Sequence, residues 1–414
     1  MARKEDIVVR RRKKVDGAAR SRARDAHSEE YEAPSERRSR HRRKKYRRQF
    51  WLRLIAVVVI AALALTVWLN WDVMNPEYVW TWVKLQATGG DTGDGYPLSI
   101  EGNTVVDMDT VGHQLCVLTD SYLLMYNSTA GETVRRPCAY ATPALDTAGK
   151  YALIAEVGGK RVRLETLSGT RQEIQAPSTI VSATVADNGN FAVVVDSSSY
   201  QSEIWVYSAE GKQKYHWSSA SMLVMDVALQ GNTMAVIGTN ASGGALRSEM
   251  LVMDITTEAA PARYSLEDTL FYHVGIFPDK RIAAVGDTGT LFLDPSTDVS
   301  RSVRYDDRQL LGYAFSGNRL GLQLGSYGST ADGELLSYAS NGDSVFTTAF
   351  TGSARWLEAD GSGGYLLLSS SGLSHIAADG AATAKGTYSD GMRVVAFDKQ
   401  AIVLGLTKMD SVKF

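Results

Sequence analysis

The sequence predicts an all-β ring built from a repeated four-stranded unit, preceded by one membrane-spanning helix. Three observations carry this expectation. A charge-free apolar run, Leu54–Trp71 (LIAVVVIAALALTVWLNW), separates a basic arm from a long acidic body. The body consists of short apolar or alternating runs, such as AVVVD, IWVYS, MAVIGT, LFLD and YLLLS, each closed by a tight turn. Such runs mark many short strands rather than helices. Finally, the turns recur at a nearly constant interval.

The arm comes first. Residues 1–53 hold 20 Lys/Arg against 8 Asp/Glu, and the remaining 361 residues hold 24 against 38. The overall formal charge of −2 therefore hides a strong asymmetry. Arg37–Arg48 (RRSRHRRKKYRR) has nine Lys/Arg in twelve residues, directly before the apolar run. Residues 1–49 have too few apolar side chains to bury a core and are expected to be disordered. So dense a basic cluster stays on the cytoplasmic side of a membrane and lies readily against anionic headgroups. Nucleic acid is the weaker alternative, because Tyr46 is the one aromatic interleaved in the cluster.

Residues 50–71 are expected to form the transmembrane helix. Eighteen residues at about 1.5 Å rise cover about 27 Å, near the thickness of a bilayer's hydrocarbon core. Trp51, Trp68 and Trp71 flank the span, and Trp80 and Trp82 follow it. These five are the expected membrane-interface residues, since Trp collects at headgroup depth. Asn75-Pro76-Glu77 reads as the capped start of a short helix over Glu77–Gln86. Residues 72–95 are thus a juxtamembrane helix followed by a Gly-rich linker, Ala87–Gly95. The expected topology is single pass, N-terminus cytoplasmic, body extracytoplasmic. A cleaved signal peptide is the competing reading. Against it, apolar residues continue past the small residues Ala62–Ala64, and the segment before the run is far too long.

Residues 96–414 carry two interleaved ladders of turns. One runs near Gly112, Gly149, Gly189, Gly231, Asp279, Gly317, Gly361 and Asp398, with steps of 37, 40, 42, 48, 38, 44 and 37 residues. The other runs near Gly131, Gly169, Gly211, Thr257, Ser296, Gly342 and Gly380, with steps of 38, 42, 46, 39, 46 and 38. The two lengthen and shorten together around a mean of about 41, which is the period of a four-stranded propeller blade. Seven units fit between Thr104 and Gly391. Three strands remain at the C-terminus (Arg393–Phe397, Ala401–Leu406 and Ser411–Phe414) and one at the start (Tyr96–Ile100). The expected fold is therefore an eight-bladed β-propeller whose last blade joins both chain ends and leaves no sheet edge open. Seven blades follow instead if the terminal strands do not join.

The turns between third and fourth strands read YSAEGK (Tyr207–Lys212), YASNGD (Tyr338–Asp343) and IAADGA (Ile376–Ala381). They resemble the repeat of PQQ-like and WD40-like propellers. Gly93-Asp94-Gly95-Tyr96-Pro97 opens the body after the arm, span and linker. With it, the whole chain resembles an uncharacterised Firmicutes family of single-pass membrane proteins, a domain of unknown function with an extracytoplasmic propeller. The resemblance implies a fold and a place at the bacterial cell envelope, and no activity.

Reactive constellations are hard to find. No P-loop, G-x-S-x-G or G-x-G-x-x-G stands in the sequence. The histidines His27, His41, His113, His216, His273 and His375 lack zinc-ligand spacing and read as satisfied surface or core residues. The body's tryptophans are Trp205, Trp217 and Trp356, and only Trp217 matches the terminal position of a quinoprotein docking repeat. Asp187, Asp226, Asp306, Asp307 and Asp360 read mostly as turn carboxylates. No catalytic, cofactor-binding or metal-ligating residue is expected, and no cofactor. Cys116 falls on a second strand and Cys138 at the end of a fourth, about 9.5 Å apart across the strand between them. That exceeds disulfide reach, although an inward turn at Cys138 would permit a bridge.

Binding is the better expectation. The longest connections join second to third strands: Ser197–Ser202, Asn240–Arg247 and Ser326–Asp332. All share one face of a propeller, and long loops on a rigid scaffold are where binding lives. Tyr200, Arg247 and Tyr327 are the candidate partner-binding residues, because Tyr and Arg dominate interface hot spots. The expected function is a membrane-anchored, non-enzymatic scaffold or sensor for a protein or envelope-polymer partner. Two alternatives stand beside it. One is an envelope-polymer-acting enzyme with convergent carboxylates in the propeller channel. The other is a transmembrane signal coupler working through the basic arm.

Overall fold

The computed structural model describes residues 93–100, 102, 104–241 and 247–414. The basic arm, the span, the juxtamembrane helix and the five interface tryptophans lie outside the described residues. Among the described residues every regular element is a strand, and no helix is long and apolar enough to cross a membrane.

The strands pair antiparallel in groups of four, in chain order. Units 1 to 5 occupy residues 105–137, 143–175, 180–219, 223–265 and 271–304. The next seven strands form one sheet, in which Ser344–Ala359 serves as the fourth strand of unit 6 and the first of unit 7. In the last unit Arg393–Phe397, Gln400–Leu404 and Lys408–Lys413 take Leu98–Ser99 as their fourth member. Leu98 stands opposite Met409 and Ser99 opposite Lys408. This closing strand is shorter than the Tyr96–Ile100 read from sequence, because Pro97 has no amide proton to donate and Ile100 bonds outside the ladder, to Thr407 O at 2.9 Å.

Burial explains the composition of each unit. Second strands such as Phe191–Val195 (FAVVV) and Ile282–Gly286 (IAAVG) are buried at every residue, since each sheet is covered on both faces by its neighbours. Fourth strands such as Val299–Arg304 (VSRSVR) are mostly exposed. Eight apolar clusters fill the spaces between successive units. In one, Cys116 and Leu118 of unit 1 pack with Ala152 and Ile154 of unit 2. In another, Val395 and Ile402 of the last unit pack with Met108 and Val117 of unit 1. The series of interfaces thus returns to its start, and the fold is a closed β-propeller. Cys116 and Cys138 are free, buried thiols in the first of these clusters.

The first described residues are held by a contact that only glycine permits. An ideal Cβ on Gly93 would lie 2.3 Å from Gly131 N and 2.4 Å from Thr129 O. Gly95, at φ 86°, donates its amide to Thr129 O at 3.2 Å. The receiving turn is itself fixed by the Asn127 side chain, which accepts from the amides of Thr129 and Gly131. Gly93→Ala is expected to cost about 1–3 kcal/mol through backbone displacement. Asp94→Ala, at an exposed neighbour, is expected to leave the thermal midpoint unchanged. Parallel melting curves of the two variants check this.

Candidate functional site

The first strand of every unit is the innermost, and inner strands of successive units lie against one another. Strand alternation sends Met108 into an apolar interface and turns Asp107 and Asp109 the other way. Such residues stand on the innermost strands, which border the central axis. Asp109 accepts from the Thr147 hydroxyl of unit 2 at 2.5 Å. Asp146 of unit 2 accepts from the Thr184 hydroxyl and Val185 amide of unit 3, at 2.9 and 2.7 Å. Asp226 of unit 4 accepts from the Val274 amide of unit 5 at 3.0 Å and pairs with His273 Nδ1 at 2.8 Å. Each carboxylate clasps the next inner strand. At the seam Asp107 pairs with Arg393 of the last unit. The Arg393 guanidinium lies 4.3 Å from the Trp356 ring centroid, and the Trp356 indole donates to Glu358 at 3.0 Å.

Electrostatics tie these groups into one site. Burial pushes the Glu358 carboxyl up to about 8; Asp109 and Asp107 add to the rise, while the Trp356 indole and Arg393 oppose it. Burial likewise lifts Asp146 to about 6, with Asp109 and Asp226 adding and the Val185 and Thr184 donors opposing. Glu358 of unit 7 therefore repels Asp109 of unit 1, and Asp146 of unit 2 repels Asp226 of unit 4. Those units are not adjacent, so the repulsion runs between inner strands that have one unit between them. At neutral pH Glu358 is mostly protonated, which equips it to donate as well as accept.

A recurrent irregularity shapes the channel's end. Six of the eight inner strands carry a β-bulge near their start, leaving Val106, Val181, Met225, Tyr272, Leu311 and Arg355 without a direct partner. A bulge re-aims the extra side chain. Val106, Val181, Met225 and Tyr272 are large apolar residues between 39% and 50% exposed. Arg355 instead donates to the carbonyls of Tyr388, Ser389 and Gly391. All six bulges sit opposite the last residues of a second strand, on the face that carries the long connections.

The candidate residues read from sequence sit on that face but apart from one another. Tyr200 and Arg247 are exposed and Tyr327 is 88% exposed. Among the described residues no hydrogen bond or ring contact joins any two of them. Asp226 is a correction: it lies on an inner strand, not at a turn, because the strand runs through it to Gln230. Asp306 and Asp307 are turn residues with left-handed φ. Three histidines are satisfied by carboxylates: His216 by Glu203, His273 by Asp226 and His375 by Asp360. Asp107, Asp109, Asp146 and Glu358 were not singled out by sequence. The trace of them is the dipeptide Asp109-Thr110, repeated as Asp146-Thr147 at the turn ladder's own step of 37.

Among the described residues no group of three His, Cys, Asp or Glu side chains is arranged to hold a metal ion. A cavity of about 230 Å³ lies by the closing strand, lined by residues including Ile100, Val105, Tyr126 and Met409. It shares no lining residue with the channel carboxylates.

Known structures share the architecture. Apo AztD from Citrobacter koseri aligns with a TM-score of 0.51 at 11% identity, over 72% of this chain and 89% of that one. Dihydro-heme d1 dehydrogenase NirN, in complex with DHE, aligns with a TM-score of 0.50 at 12% identity, over 77% of each chain. The WD40 domain of Neurospora crassa Pan2 aligns at 0.40 and 12%, over 53% and 71%. At such identities the first two likenesses speak for the β-propeller fold alone. No curated protein matches the sequence. Residues 96–414, by contrast, match a family model along their whole length, and the chain belongs to that family, the family of unknown function DUF5711.

Proposed function

We propose that the propeller is a non-enzymatic scaffold or sensor that binds a protein or envelope-polymer partner through its long-loop face. In this reading residues 50–71 anchor it in a bacterial cell membrane, with the arm cytoplasmic and the propeller outside, and its eight four-stranded units are eight blades. One observation carries the binding reading. Of the twelve large apolar residues that are exposed among the described residues, ten lie on the long-loop face. Seven stand at the starts of inner strands: Val106, Val181, Leu223, Met225, Leu270, Tyr272 and Met392. Tyr200, Tyr327 and Leu406 stand on connections between second and third strands. Only Val299 and Val345 fall on the opposite face. Isolated exposed apolar residues are ordinary, whereas their segregation to one face is the mark of an interaction surface. Gly93 and Gly95 contact the Thr129–Gly131 turn on that opposite face.

Crosslinking in intact cells, followed by purification of the full-length chain, tests this. A variant with the 197–202, 240–247 and 326–332 connections shortened is expected to lose a partner that the wild type retains. Identical partners in both would defeat the reading. The channel carboxylates favour a second reading, an envelope-polymer-acting enzyme. Glu358 and Asp146 are carboxyls on inner strands that burial lifts to about 8 and about 6, and raised carboxyls of this kind can serve acid–base chemistry. That reading requires turnover of an envelope polymer by the purified chain, and binding without turnover dismisses it.

A further inference from the structure

We propose that the channel mouth docks an extended polypeptide segment of a partner protein, placing one lysine or arginine side chain in the channel and its apolar neighbours on the ring of bulged residues. This rests on the binding reading above and gives the partner its chemistry.

The ring is the first ground. A bulge interrupts the strand ladder, and here it recurs at one position in six inner strands. What four of these bulges present to solvent is Val106, Val181, Met225 and Tyr272. Leu223, Leu270 and Met392 widen the same rim. Tyr and Met are among the residues enriched at the core of protein interfaces.

Charge beneath the ring selects the partner. Asp109 accepts from the Thr110 amide and Thr147 hydroxyl, and Asp146 from Thr184 and Val185. Every one of those donors is neutral. Arg393 and His273 are already paired with Asp107 and Asp226. A cation entering the channel meets carboxylates that no side-chain cation bonds, and an anion is repelled. A small free cation would satisfy the carboxylates and leave the ring wet. A polypeptide uses both, because alternate residues of an extended segment can enter the channel and lie on the rim.

The test pans a displayed library of random nonapeptides against the full-length chain, then measures the recovered peptides on variants. Recovered peptides are expected to carry Lys or Arg between apolar residues. Their Kd is expected to rise at least tenfold in Asp146→Asn and in Met225→Glu, and to stay within twofold in Val299→Glu on the opposite face. Wild-type thermal midpoints in all three variants exclude misfolding as the cause. Peptides that are acidic or wholly apolar would overturn the proposal. So would peptides indifferent to Asp146→Asn and Met225→Glu but lost in Tyr327→Ala, which would move the site to the loops and leave the binding reading standing. A library that yields no binder would count against both.

Discussion

Glu358→Gln is expected to make the protein more stable than wild type at pH 7 to 9, and no different near pH 4. The burial that lifts the Glu358 carboxyl from 4.5 to about 8 acts in the folded state only. Between those two values the unfolded chain releases a proton that the folded chain keeps. Stability therefore falls as pH rises through this window: the penalty is absent below 4.5, grows with pH and is complete above about 8. At 1.36 kcal/mol per unit, with allowance for channel water, the penalty is on the order of 3–4 kcal/mol. Glutamine cannot ionise, and its carbonyl still accepts from the Trp356 indole. Urea midpoints of both proteins at pH 4.5, 7 and 9 check this. Curves that run parallel across the range would show that Glu358 ionises freely in the fold, and that the channel is wetter than its geometry implies.

The same carboxyl shows what sequence reveals and what it hides. The turn ladders were legible because the turn itself needs a left-handed residue. Gly112, Gly149, Gly189, Gly231, Gly317 and Gly361 all have positive φ, and Asp398 takes φ 47° in the same role. That requirement is local, so it is written locally. The second strands were legible for a similar reason, since burial on both faces leaves runs such as FAVVV with no polar residue. Glu358 has no such signature. It is one polar residue in an alternating strand, and its meaning comes from burial and from Asp109 and Asp107, which lie two units on around the ring and far away in sequence.

The bulges were hidden more thoroughly. Val181 reads as an ordinary strand residue beside the buried Ile180, yet it is exposed, because the register slips between Ile180 and Ser182. Nothing in the residue types at these positions announces the slip. Tyr200, Arg247 and Tyr327 were selected by type and loop length, and all three are exposed. The ring nearer the axis depends on geometry that only the assembled sheets supply.

Closure of the ring carries the second large expectation. Leu98→Asp combined with Ile100→Asp is expected to lower the stability of the whole propeller by about 4 kcal/mol or more, because it removes a buried Ile and places carboxylates against an apolar cluster. That cluster contains Ile100, Met108, Leu115, Val395, Ile402 and Met409, so it spans the last unit and the first. At about 2–4 °C per kcal/mol the midpoint falls by roughly 8–15 °C. Val345→Asp, at an exposed site, should shift it by less than about 2 °C. The form of the transition matters as much as its position. If both chain ends complete one sheet of a closed ring, every interface depends on that join, and the variant should unfold in one earlier cooperative step. If the ring closed through seven units, with the terminal strands appended, the main transition would hold its wild-type midpoint and only a small early phase would appear. A rigid closed ring also bears on the channel: Asp107 and Arg393 pair across this same seam. Loosening it should weaken peptide binding at the mouth before it unfolds the body, an order of events that a merely peripheral strand could not produce.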